Sequence, residues 1–241
     1  MDRPEEQTDP VAEQKSEGEN PYDDTLVTLQ NPAGVASESY RMLRTNLFYA
    51  LVDTPPKVIV LTSAGPREGK SATAANLGVT LAQAGKNTLL VDCDLRRPML
   101  HNIFQTRNLE GLVNILIGER KPQEIWLEPT PGLKLVPAGP LPPNPAELLS
   151  SRRLVDFLGQ VRRDFDYVLV DTPPVGSVSD SAVLAANVDG VLLVLDAQRT
   201  RKGAFRQALR RLEGVGATVL GTVMNGHEFP KDGSRYGYGN Y

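Results

Sequence analysis

The segment Ala64-Gly65-Pro66-Arg67-Glu68-Gly69-Lys70-Ser71 constrains this chain more than any other stretch. It follows an apolar run, Lys57 to Leu61, and opens a stretch with helical spacing. That strand–turn–helix context is the one in which a glycine-rich loop wraps phosphate. Backbone N–H groups of such a loop converge with the N-terminus of the following helix, and both favour anions. Gly65, Pro66, Arg67, Glu68, Gly69, Lys70, Ser71 and Ala72 therefore form the predicted phosphate-binding segment. Lys70 supplies a point charge for outer phosphates, and the Ser71 hydroxyl suits Mg²⁺. This is the P-loop pattern, with Ala64 in place of its usual first glycine.

The rest of the chain repeats strand, turn and helix. Apolar runs at Lys57 to Leu61, Thr88 to Asp92, Tyr167 to Asp171, Gly190 to Asp196 and Ala217 to Asn225 predict strands. Helices are predicted over 35–51, 70–84, 145–162 and 201–213. In the first of these, Ala36, Tyr40, Leu43, Leu47 and Leu51 recur at steps of 3 and 4. Alternation of this kind predicts an α/β fold of three layers, P-loop NTPase-like, with a mostly parallel central sheet covered on both faces. Ligands on such sheets sit beyond the carboxyl ends of the strands. With 241 residues, 40 % of them hydrophobic, the chain can build one sizeable core.

Acids end two more strands. Asp92 and Asp94 flank Cys93, and if extended geometry persists they face one site while Cys93 points away. Asp171 closes Val168-Leu169-Val170 in the Walker B form, whose acid holds Mg²⁺ or its water shell. Two neighbouring anions raise the Cys93 pKa, so it reads as a packed thiol and not a nucleophile. Asp180-Ser181 reads as a helix N-cap. One cysteine and two histidines leave no disulfide framework and no zinc site, which fits a cytosolic setting.

Residues 1–24 carry nine acids and two bases, so the remainder holds about +4 (24 bases minus 20 acids). That excess is too small to argue for nucleic acid. No apolar run approaches the roughly 18–20 residues of a membrane span, and no signal peptide is visible. The predicted organisation is a disordered acidic segment over 1–30, one catalytic domain over 31–225, and a flexible tail over 226–241.

Five blocks, in order, resemble one family. Glu38-Ser39-Tyr40-Arg41-Met42-Leu43-Arg44 matches an ExxRxxR element, and the P-loop follows it. Asp92-Cys93-Asp94-Leu95-Arg96-Arg97-Pro98 resembles a DxDLRRP block, the Walker A′ of deviant-Walker ATPases. The stretch from Pro143-Asn144-Pro145 to Leu149 resembles a PPNPxELL segment, and Asp171-Thr172-Pro173-Pro174 a Walker B block. Together they resemble the bacterial protein-tyrosine kinases (BY-kinases) of capsule and exopolysaccharide synthesis, over about residues 31–225.

The resemblance implies ATP-dependent phosphorylation of tyrosine, first on a C-terminal cluster, here Tyr236, Tyr238 and Tyr241. It implies Asp92 as the base, Ser71, Asp94 and Asp171 around Mg²⁺, and Lys70 on the phosphates; the roles of Asp92 and Asp94 are open to exchange. Asn225 is implied at the purine base. Glu38, Arg41 and Arg44 are implied as self-association contacts in a ring that loosens once the tail is phosphorylated. The type without a membrane span implies a separate membrane activator, a polysaccharide chain-length regulator, which would hold a cytoplasmic kinase at the inner face of the membrane. The competing assignment is a positioning ATPase of the partition or septum-site class. Such proteins typically carry a lysine five residues before the P-loop lysine, where this chain has Gly65.

Overall fold

Five of the seven strands are buried along their whole length or all but one residue of it, so the sheet must be covered on both faces. The computed structural model describes residues 23–51, 55–178 and 180–227. In chain order the elements are α1 (Val27–Gln30), α2 (Val35–Phe48), β1 (Val58–Ser63), α3 (Lys70–Gln83), β2 (Thr88–Asp92), α4 (Leu100–Ile103), α5 (Leu112–Ile117) and α6 (Pro122–Ile125). There follow β3 (Leu127–Thr130), β4 (Leu133–Val136), α7 (Pro145–Leu149), α8 (Arg152–Asp164), β5 (Tyr167–Asp171), α9 (Asp180–Ala185), β6 (Gly190–Asp196), α10 (Lys202–Gly214) and β7 (Val219–Asn225). The strand order is β3-β4-β2-β5-β1-β6-β7, parallel throughout except for β3 against β4. The expected three-layer α/β fold with a mostly parallel sheet is therefore the one observed.

Side chains alternate across the strands and divide the core in two. Val58, Val60, Leu89, Val91, Val168 and Val170 join residues of α5, α8 and α10 on one face. Ile59, Leu61, Leu90, Leu135 and Leu169 meet α2, α3 and α4 on the other. Because consecutive strands are linked through helices, β1, β2, β5, β6 and β7 all end at the same edge of the sheet. That edge gathers the P-loop, Asp92, Asp171 and Asn225.

Several element boundaries differ from expectation. The helix predicted over 145–162 is two helices, α7 and α8. Ser151 breaks the run and caps α8, its Oγ accepting the Leu154 N–H at 3.3 Å. β1 runs on to Ser63, two residues past the predicted Leu61, because strand pairing with β6 continues that far. The β3–β4 hairpin and the short helices α4 to α6 were not anticipated.

The fold also starts earlier than residue 31. Leu26 is fully buried, and the Thr28 N–H and hydroxyl both donate to Asn76 Oδ1, at 3.0 and 2.9 Å. Asn76 Nδ2 in turn donates to the Thr25 carbonyl at 2.7 Å. Residues 23–30 are thus locked to α3, and only 1–22 of the predicted acidic segment lie outside the described residues. On α2, Ala36 is exposed, whereas Ser37 faces inward and donates to the carbonyls of Val27 and Asn31. A hydroxyl with two acceptors fits that buried place better than the methyl that periodicity assigned to it.

Candidate active site

The P-loop leaves β1 and winds through two left-handed residues, Arg67 (φ 60°) and Gly69 (φ 88°). For Arg67 this costs on the order of 1 kcal/mol. At Gly69 the left-handed backbone favours glycine, and a Cβ would lie 1.8 Å from Asn225 Nδ2 and displace that side chain. Contacts within the protein hold the loop. The Ser63 hydroxyl donates to the Gly65 carbonyl at 2.7 Å. The Glu68 carboxylate accepts the Gly65 N–H at 3.0 Å and the Thr200 hydroxyl at 2.6 Å. Gly176, beyond β5, presses so close to the loop entrance that a Cβ there would stand 1.9 Å from the Ala64 carbonyl oxygen.

Three carboxylates surround the loop lysine. Lys70 Nζ lies 2.9 Å from Asp94 Oδ2 and 3.5 Å from Asp171 Oδ1, and it donates to Ser71 Oγ at 3.1 Å. Burial opposes the Lys70 charge, but Asp171 and Asp94 outweigh it and hold its pKa above the ordinary lysine value. Asp171 is fully buried, and only Ser71 and Lys70 stand near enough to support its oxygens, with no close, well-aligned donor. Burial pushes its carboxyl pKa up, with the Lys70 charge pulling the other way. A buried carboxylate without well-aligned donors is costly unless a cation completes it.

Asp92 pairs in register with Asp171 on the neighbouring strand. Burial first, then the Asp171 charge, pushes its carboxyl up to about 8, against the Leu100 N–H and Lys70. β2 ends at Asp92, and both A′ aspartates lie close enough to act on the Lys70 charge, while Cys93 enters the core. Asp92 Oδ1 accepts the Asp94 N–H, and Oδ2 accepts those of Met99 and Leu100, each at 3.1 Å. Asp94 pairs with Lys70, and its Oδ1 accepts the Arg97 N–H at 3.0 Å. Cys93 is buried in the core, where burial and the nearby carboxylates push its thiol well above the usual range, as a packed, inert thiol requires.

The remaining predicted residues fall as follows. Asn225, at the end of β7, donates from Nδ2 to the Glu68 carbonyl at 3.3 Å, which places it beside the loop. Asp180 is the first described residue of α9, and its side chain pairs with Arg96 (Nε to Oδ2, 3.0 Å). Glu38 and Arg41 pair with each other on α2 at 2.8 Å. Arg44 turns inward and donates to the Thr80 carbonyl at 2.9 Å. All three lie apart from the carboxylate cluster. Tyr236, Tyr238 and Tyr241 lie outside the described residues.

Mg²⁺ fits these residues. Ser71 Oγ, Asp94 and the Asp171 carboxylate offer hard oxygens around Lys70. Among the described residues no three or more His, Cys, Asp or Glu side chains are grouped to hold a metal by themselves. That suits an ion which takes one or two protein oxygens and completes its shell with phosphate and water. Reading the sequence missed Thr200, Gly176, the inward use of Glu68 and the Arg96–Asp180 pair. Each depends on which loops the topology brings together.

A phosphate loop at one strand end, facing acids at the ends of two neighbouring strands, defines a P-loop nucleotide-binding protein with Walker A, A′ and B elements. Comparison with known proteins narrows this. A family model described as an AAA domain matches residues 57–218. The tyrosine-protein kinase YwqD of Bacillus subtilis (strain 168) is 39 % identical, the match covering 88 % of this chain and 90 % of that one. The putative tyrosine-protein kinase CapB of Staphylococcus aureus is 35 % identical over 88 % of this chain and 94 % of its own. The kinase domain of the Escherichia coli tyrosine kinase ETK superposes with a TM-score of 0.82 at 33 % identity, over 89 % of this chain and 84 % of that domain. The chain belongs to the bacterial protein-tyrosine kinases, of the CpsD/CapB type, and is a protein-tyrosine kinase.

Proposed function

We propose that this kinase transfers the γ-phosphoryl group of ATP to its own C-terminal tyrosines, Tyr236, Tyr238 and Tyr241, and acts in polysaccharide synthesis or export. One observation carries the nucleotide part. Lys70 lies between Asp94 and Asp171, neutralising two acids that have no other charged partner among the described residues. When phosphates draw Lys70 away, both carboxylates are left facing the incoming anion, and a divalent cation is then required.

Ser71, Asp94 and Asp171 would hold Mg²⁺, which supplies charge neutralisation at the phosphates when bound. Lys70 and the loop N–H groups orient the outer phosphates, and positioning of this kind provides most of the catalysis in phosphoryl transfer. Asn225 seats the purine base. A tyrosine hydroxyl, with an ordinary pKa near 10, must lose its proton as the new bond forms. Asp92 accepts that proton in its ionised form, which a cation at the site favours by offsetting the burial and the Asp171 charge that raise its carboxyl. For this the Asp94–Leu100 turn covering Asp92 must shift, since Asp92 is fully buried.

Self-association through α2 supports transfer between chains. Val35, Met42 and Tyr49 are exposed at 62, 57 and 75 %, and at steps of seven they form one apolar stripe beside Glu38. A ring would bring one protomer's tail to a neighbour's site. About 11 residues from Asn225 to Tyr236 extend at most roughly 36–40 Å. Among the described residues no helix is long and apolar enough to cross a membrane. A separate membrane activator, the polysaccharide chain-length regulator, would hold the kinase at the inner face of the membrane.

The test is incubation of the full chain with labelled ATP and Mg²⁺, alone and with a candidate activator peptide. Lys70-dependent phosphotyrosine that disappears when the three tail tyrosines become phenylalanine supports the reading. Phosphotyrosine undiminished in the tail variant overturns the choice of acceptor.

A further inference from the structure

Glu68 lies in the phosphate loop, yet it is 6 % exposed and the protein itself uses both its carboxylate oxygens. Oε2 accepts the Gly65 N–H at 3.0 Å and Oε1 the Thr200 hydroxyl at 2.6 Å. Thr200 belongs to the turn between β6 and α10. Its Oγ1 also accepts the Asp196 N–H at 2.8 Å, and its own N–H donates to the Asp196 carbonyl at 2.9 Å. The same turn reaches β7, the Ala197 N–H donating to the Asn225 carbonyl at 2.8 Å. Asn225 Nδ2 then returns to the Glu68 carbonyl at 3.3 Å. A closed circuit of hydrogen bonds joins the phosphate loop to two neighbouring strand ends.

An acid beside a phosphate cradle opposes phosphate by charge. Its presence makes physical sense if what it holds matters more than what it repels. Arg67 stands at φ 60° one residue before Glu68, a conformation an untied loop would relax from. Ties at Gly65 and Thr200 on either side of that residue keep the loop's N–H groups set before phosphate arrives. A site set in advance spends less of its binding free energy on ordering.

We propose that Glu68 and Thr200 form a positioning clasp that presets the phosphate loop and joins it to the β6–α10 turn. They govern nucleotide affinity and leave the phosphoryl-transfer step alone, acting through Gly65 and not on the reacting atoms. The proposal rests on the kinase reading above, but a binding measurement reads it out.

Calorimetric titration of the full chain with Mg-ADP and Mg-ATP tests it. Glu68→Ala and Thr200→Val each weaken binding by about tenfold, the loss expected for one hydrogen bond to a charged group. The double variant falls well short of the product of the two single losses, because both changes cut the Glu68–Thr200 contact. Thr200→Ser, which keeps the hydroxyl, stays within about twofold of the unaltered chain. In turnover assays Thr200→Val raises KM for ATP while kcat holds. Unaltered affinity in Thr200→Val, a loss of about 100-fold in the double variant, or Thr200→Ser as weak as Thr200→Val would each overturn the clasp. The Thr200 variants decide the matter even where Glu68→Ala fails to fold. If the kinase reading were the one at fault, no variant would make phosphotyrosine although the affinity pattern stood. If the clasp were at fault, phosphotyrosine would form and the pattern would be missing.

Discussion

Lys70 is the residue on which the site balances, because it is the cation nearest to both Asp94 and Asp171. Lys70→Met removes the phosphate contact and leaves two buried anions facing each other. Nucleotide binding and phosphotyrosine formation are expected to fall to background in this variant, which a filter-binding assay and a phosphotyrosine blot would check. Asp92 gives a second prediction, for the metal-free protein. Its folded-state carboxyl is raised from 3.8 to about 8, so folding favours the protonated form. The stability it contributes is complete below about 4 and is lost as pH rises through about 8. Denaturant midpoints taken with chelator present should therefore decline across that window. Asp92→Asn should flatten the decline whatever its absolute level, and an unchanged slope would assign the titration elsewhere.

Elements meet where small residues let them. Gly176→Ala drives a Cβ into the Ala64 carbonyl, so it should weaken both the fold and the phosphate loop, by about 1–3 kcal/mol in stability. Ser151→Ala removes the cap of α8 and should cost about 1 kcal/mol with nucleotide affinity untouched. Urea titrations of both variants, with and without nucleotide, separate the two effects. The same scale shows what could be read in advance. The P-loop, Asp92 and Asp171 were legible because strand, glycine-rich turn and acid follow one another locally. The break at Ser150-Ser151 was not, since the apolar spacing runs through it, although two consecutive serines are a cap signal. The β3–β4 hairpin also escaped, although Pro131-Gly132 is a turn signal between its strands. The Glu68–Thr200 contact joins residues 132 positions apart, and no local pattern announces it.

At the scale of the whole molecule, α2 shows its apolar stripe on the side turned away from the sheet. Met42→Glu would place a charge in that stripe without disturbing the buried face around Leu47. Sedimentation should show a smaller assembly, while nucleotide affinity holds; an unchanged mass would remove α2 from the proposed contact. The strand order carries a consequence in time. β1 bears the phosphate loop, yet its two partners are β5 and β6, with Val58 beside Val168 and Ile59 beside Gly190. Those neighbours leave the ribosome more than a hundred residues later. Until then β1 has no ladder to join, and closing such long loops is slow. The phosphate motif is thus made well before the strands that frame it. A fragment that stops short of β5 is therefore expected to leave β1 unpaired and its phosphate loop unset.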